Sequence, residues 1–246
     1  MRQTFILTTL LWANLLFGQG GKWVEPSSID TTMALSGITV SLSPGEEQPF
    51  ATYLLPKNII DSLTKGIHNS HKYSLAIERY QIIQFGQRFR RTDEGLFLKL
   101  NNGDWQLMKI DPLTDEVDNV FEHYFDKFGF YSIRVQWGEG NGYKLVNTET
   151  GTVTDIIGKP FFSPDGSKVI ALGNDIEAGY SENGFELMEN MAGKIKPIGR
   201  YNPGSWGCIS ALWLTNNTLL LQNQSLESKA DAGWGYFSFY TRMKLN

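Results

Sequence analysis

Lys159-Pro-Phe-Phe-Ser-Pro-Asp-Gly-Ser-Lys-Val-Ile-Ala-Leu-Gly-Asn-Asp175 is the stretch from which the architecture is read. A short apolar strand at Phe161 and Phe162 meets a tight polar turn, Ser163-Pro164-Asp165-Gly166. An alternating strand then returns over Lys168 to Leu172. Pro164 presets φ at the first central turn position, and Gly166 accepts a positive φ without steric cost. The stretch therefore reads as a β-hairpin.

Similar hairpins flank it. Asn102-Gly103, Asn141-Gly142 and Asn183-Gly184 each precede an aromatic residue, a polar residue, Leu, and Met or Val, at offsets of 39 and 42 residues. The first copy carries one inserted residue, Asp104. Trp234-Gly235-Tyr236-Phe237 is a degenerate fourth copy. Before each lies another alternating segment: Leu96 to Leu100, Tyr131 to Trp137, Lys168 to Leu172 and Thr218 to Gln222. Thr148 to Gly151 and Asn190 to Gly193 are matching return turns, leading to short strands at Thr152 to Ile156 and Lys194 to Ile198. A period near 40 built from four short strands is the pattern of a propeller blade. One such sheet cannot cover both its faces, and stacking sheets does so.

The first part of the chain is less regular. Ile38 to Ser43 alternates apolar and polar residues and reads as a half-buried strand, and Phe50 to Leu55 as a second. Asn58-Ile59-Ile60-Asp61 opens one short helix, with Asn58 as cap and Gly66 as terminator. Tyr73 to Phe85 alternates Tyr73, Leu75, Ile77 against Ser74, Ala76, Glu78 and reads as extended. Arg88, Arg90 and Arg91 read as a solvated strand face.

Ahead of this lies Phe5 to Phe17, an apolar run following Arg2 and followed by Gly18-Gln19-Gly20-Gly21. That order is expected of a secretory signal peptide at 1–20, cleaved after Gly18 or Gly20. The run is short against the roughly 20 apolar residues of a spanning helix. Export to the periplasm or outside the cell is the expectation, without stable membrane insertion. The chain has 246 residues, of which 41% are hydrophobic, 20% charged and 13% aromatic, and it carries 25 glycines, a balance that suits strands and tight turns. Its formal net charge of -4 makes nucleic acid a poor partner. A single cysteine, Cys208, precludes an internal disulfide.

Phe162-Ser163-Pro164-Asp165-Gly166-Ser167-Lys168-Val169-Ile170-Ala171 resembles the F-S-P-D-G signature of WD-like β-propeller repeats, found in periplasmic translocation proteins and in the propellers of oligopeptidases. Asp126 to Gly129 and Thr215 to Thr218 occupy the matching turn without the Ser-Pro-Asp. The resemblance implies a fold and no activity. It implies blades whose strands run outward from an axis. The last of them has only three strands of its own, and Ile38 to Ser43 is expected to supply its fourth. The expected fold is thus all-β: four to five four-stranded antiparallel blades with one short helix near 58–65. The domain expectation is a single unit over 21–246, irregular over 38–92 and repetitive over 93–246.

The same resemblance gathers the loops between second and third strands on one face, where ligands bind. The candidate ligand-binding residues there are Trp137, Asp175, Glu177, Tyr180, Glu182, Asp231 and Trp234, acids among aromatics that suit a basic peptide, a sugar or a cation. No nucleophile elbow, phosphate loop or dinucleotide fingerprint is present. Gly204-Ser205-Trp206-Gly207 lacks the strand-to-helix context, and Gly138 to Gly142 lacks a following helix. Carboxylates for glycoside chemistry exist as Asp93/Glu94, Glu122/Asp126 and Asp175/Glu177, with His123 as a possible base. His68 and His71 are spaced for a metal only if helical, and no metal or cofactor is expected. The sequence points to an exported non-enzymatic binding protein, its partner a protein or glycan of the cell envelope or extracellular space. A hydrolase of glycans or peptides and a structural subunit of an envelope complex are the alternatives.

Overall fold

The structure is a computed structural model that describes residues 29–50, 55–111, 113–229 and 233–246, with side chains of 227–229 and 233–234 outside the description. The expected signal peptide, the middle of the expected 50–55 strand and Asp231 lie outside the described residues.

The fold is mostly β. It has four antiparallel sheets and two helices, the helices lying in the chain between an N-terminal hairpin and the remaining strands. β1 (Thr31–Leu35) and β2 (Ile38–Pro44) form a hairpin at the start. Helices α1 (Lys57–Leu63) and α2 (Ser70–Phe85) follow. β3 (Phe89–Thr92), β4 (Gly95–Lys99) and β5 (Trp105–Leu107) make a three-stranded sheet. β6 (Asp118–Phe125), β7 (Phe130–Gln136), β8 (Asn141–Asn147) and β9 (Val153–Ile156) make a second, four-stranded sheet. β10 (Lys159–Phe162), β11 (Lys168–Gly173), β12 (Gly184–Met191) and β13 (Lys194–Tyr201) make a third. β14 (Trp206–Thr215), β15 (Thr218–Lys229) and β16 (Gly233–Leu245) begin the fourth. Among the described residues no sheet closes on itself.

The repeat strands fall where the hairpin period puts them, with Asn141-Gly142 and Asn183-Gly184 opening β8 and β12. The hairpin between β10 and β11 is built as its residues dictate. Gly166 has φ +74 and donates its N–H to Ser163 O at 2.8 Å, while Asp165 Oδ1 accepts from Ser167 N at 2.9 Å. A Cβ at Gly166 would stand 2.5 Å from the Phe128 ring, so glycine is required there twice over. The expected fourth strand of the last sheet is β2: Leu42 pairs with Met243 and Val40 with Leu245. β1 then adds a fifth strand outside it. The two described ends of the chain are thereby tied into one sheet.

Strand alternation sorts residues between the faces, and successive sheets share a core. Phe89, Leu96 and Leu98 of the first sheet meet Phe121, Tyr131 and Ile133 of the second. Phe130 and Leu145 of the second meet Phe162, Val169 and Met188 of the third. Phe161, Ile170 and Phe185 of the third meet Leu219, Leu221 and Met243 of the fourth. Phe161 and Phe162 thus serve different cores because adjacent residues on a strand point to opposite faces. Trp206 and Cys208 are buried in the last of these cores, Cys208 as a free thiol whose pKa burial pushes up.

Two expectations for the first part need correction. The 73–85 segment is helix, not strand. Its N-cap is Asn69, whose side chain accepts Lys72 N–H at 2.9 Å. The buried residues of α2 are Glu78 and Gln81, whereas Ile82 and Ile83 are exposed, so no apolar stripe marks it as a helix. The second correction concerns α1. It starts at Lys57 after Pro56, with no side-chain cap, so Asn58 does not play that part. Gly66 lies three residues beyond Leu63 at φ +76, past the end of the helix.

Candidate functional site

α2 packs against β6 and β3, the first strands of two successive sheets. A network of charge fixes it there. Glu78 is 1% exposed. Its carboxylate accepts Arg91 N–H groups, including Nη2 to Oε2 at 2.8 Å, and the Phe121 backbone N–H at 2.6 Å. Arg91 also donates to Asp118 at 3.1 Å and to Asn119 O at 2.6 Å, and His71 of α2 meets Asp118 at 2.9 Å. Gln81 donates to Glu122 O. Arg91 is therefore a buried-side anchor and not part of a solvated face. Arg88 bonds the Tyr124 hydroxyl and lies over its ring, and Arg90 lies over Phe97 and Trp105.

Between the helix pair and the second sheet is a cavity of about 410 Å³. Ile60, Ile67 and Ile77 give it an apolar wall, and Glu122, Arg134, Tyr143 and Lys159 give it a polar floor. The floor has a local cause. On β7 the face that carries Phe130 in the core continues through Ser132, Arg134 and Gln136, so the stripe turns from apolar to polar along one strand. The register of β6 shifts between Phe121 and His123, a bulge that leaves Phe121 and Tyr124 in one core. Glu122 sits in that bulge. It accepts from Ser132 Oγ at 3.1 Å and from the Tyr143 hydroxyl at 3.2 Å, and Lys159 Nζ lies 3.5 Å away. Burial, reinforced by Glu122, pushes the Tyr143 phenol well above its ordinary value. Arg134 is 8% exposed and donates from Nη1 to Gln136 Oε1 at 2.8 Å. Burial lowers its pKa. No carboxylate among the described residues forms an ion pair with it.

Trp137, Asp175, Glu177, Tyr180 and Glu182 line a common cavity of about 560 Å³. Trp137, Tyr180 and Glu182 extend to an adjoining one of about 910 Å³ with Asp111, Asp155 and Arg200. Asp175 is occupied within its own loop, accepting from Ala178 N, Gly179 N and Ser181 N at 3.1, 3.1 and 2.7 Å. Glu182 faces Arg200 at 3.9 Å. Tyr180 is raised in pKa by its hydrogen bond to Glu139, and Tyr236 by its bond to Glu177. Asp231 and the Trp234 side chain lie outside the described residues.

Of the expected carboxylate pairs, Asp175 and Glu177 share the loop cavity, while Glu122 and Asp126 do not converge. Glu122 lines the cavity under α2, whereas Asp126 accepts the Tyr124 hydroxyl at 2.7 Å. His123 packs edge-on against Phe85 and Phe125, and burial takes its pKa down to about 4. His71 belongs to α2 rather than a loop, and His68 lines the cavity. No group of metal-ligating side chains occurs among the described residues, and none of the described helices is long and apolar enough to cross a membrane. The sequence reasoning missed the cavity under α2. Its one local signal was Arg134, a charge in an otherwise strand-like apolar segment. Neither a scan against family models nor a search of curated proteins finds a match for this chain.

Proposed function

We propose that this is an exported, non-catalytic binding protein, with propeller-like stacked sheets as its scaffold and the cavity under α2 as its ligand seat. The observation that carries the reading is the make-up of that cavity. It joins an apolar helical wall to a floor on which Glu122, Arg134, Tyr143 and Lys159 converge. At about 410 Å³ it falls within the size range of small-molecule sites. Glu122 is the one carboxylate lining it, so it lacks the facing acid pair that glycoside hydrolysis needs. In a propeller-like arrangement, β3, β6, β10 and β14 are the innermost strands, and α2 lies over two of them. A helix in that position would separate the seat from solvent on one side. The acidic loops around Trp137 and Tyr180 form a second surface, suited to a macromolecular partner of the envelope.

The test is a paired screen. Small metabolites are scored by thermal shift, and chromogenic glycosides and peptides are scored for turnover on the same preparation. Stabilisation by small molecules without turnover supports the reading. Turnover that is lost on changing Glu122 to Gln would replace it with the hydrolase alternative.

A further inference from the structure

We infer that the cavity under α2 takes a small carboxylate with an apolar body, its carboxylate held by Arg134 and Lys159 and its body laid against Ile60, Ile67 and Ile77. This rests on the reading of that cavity as the ligand seat. A guanidinium carries five N–H donors, and it is satisfied when buried only if these find acceptors. Arg134 is 8% exposed and spends one hydrogen bond on the neutral Gln136 amide. The Gln136 amide is held in that orientation by its nitrogen, which donates to the carbonyls of Trp137, Gly138 and Gly140 at 2.6, 3.2 and 3.0 Å.

The nearby carboxylate is already engaged. Glu122 takes hydrogen bonds from Ser132 and Tyr143 and faces Lys159 at 3.5 Å. Two cations and one anion therefore share the floor, and one positive charge is left over. A buried cation without a counter-charge is costly, and a planar carboxylate matches a guanidinium with two parallel hydrogen bonds. A second cation in the ligand would repel Arg134. A neutral ligand can accept from the Arg134 donors but leaves the surplus positive charge without a counter-charge. Burial holds Arg134 below the ordinary guanidinium value, and the opposing pull of Tyr143 and Glu122 does not offset it. The isoleucines opposite supply the apolar contact that a bare anion could not use.

Calorimetric titration of the purified protein with phenylacetate and hexanoate, beside phenylacetamide, hexanamide and phenethylamine, tests the proposal at neutral pH. The carboxylates are expected to bind at least tenfold more tightly than their amides, and the amine more weakly still. Arg134→Met is expected to remove the preference for the carboxylates. Lys159 is more exposed, so Lys159→Gln provides a variant that keeps the fold, and it is expected to weaken the carboxylates severalfold while leaving the amides unchanged. Ile77→Trp fills the cavity and is expected to abolish binding of every probe. Equal or tighter binding of amides or amine, sensitive to Ile77→Trp, would overturn the ligand class while sparing the seat. Binding of none of the probes, or binding indifferent to Ile77→Trp, would overturn the seat itself.

Discussion

The Glu78 carboxylate on α2 accepts the backbone N–H of Phe121 in β6 at 2.6 Å while Arg91 of β3 closes on it from the other side. One side chain thereby joins a helix to the first strands of two sheets. Changing Glu78 to Met removes the acceptor, leaves Arg91 with Asp118 as its carboxylate partner and leaves the Phe121 N–H unanswered. The expected loss is about 3 kcal/mol in urea denaturation, in the range for breaking a buried pair.

His123 gives the stability a pH dependence of definite sign. Burial takes its folded pKa down to about 4, below the ordinary 6.5. Between those values the unfolded chain binds the extra proton, so stability falls as pH drops through that window and is unaffected by this residue above it. The loss by pH 5 is about 2 kcal/mol. A His123→Phe variant, measured against the parent at pH 7 and pH 5, is expected to lack that part of the acid sensitivity.

Leu42 lies far from β16 in the chain and next to it in space. It is fully buried in the core between the third and fourth sheets and pairs with Met243. Leu42→Ala is expected to cost about 3 kcal/mol, as for other large-to-small changes in a packed core. The denaturation midpoint reads this directly. A near-neutral result would mean that the first hairpin adds little to the last sheet.

Asp175 is expected to behave differently from a ligand-binding acid. It ties the loop over residues 174–183 through three backbone N–H groups. Asp175→Ala should speed amide hydrogen exchange at Ala178, Gly179 and Ser181 while leaving global stability within about 1 kcal/mol.

These residues also show what the sequence made legible. Hairpins announce themselves locally: Ser163 to Gly166 and the Asn-Gly pairs carry turn chemistry within a few residues, and the strands between them alternate. Even the long-range pairing of β2 with β16 followed from a missing fourth strand. α2 did not announce itself. Its buried side is Glu78 and Gln81, a polar stripe whose partners, Arg91, Phe121 and Glu122, come from other strands. Meanwhile Tyr73, Leu75 and Ile77 alternate as in a strand. The loop cavity was partly legible because Asp175 to Glu182 are neighbours in sequence. The cavity under α2 was not, since Ile60, Ile77, Glu122, Arg134 and Lys159 come from separate elements and share no spacing.

The measurement that bears most directly on the account is a methyl-NMR titration of the isoleucine-labelled protein with phenylacetate. Binding in the seat predicts saturable shifts of the Ile60, Ile67 and Ile77 methyls, all of which line the cavity, with Ile176 of the loop face unmoved. Shifts centred on Ile176, or no saturable shift at the three cavity methyls, would contradict it.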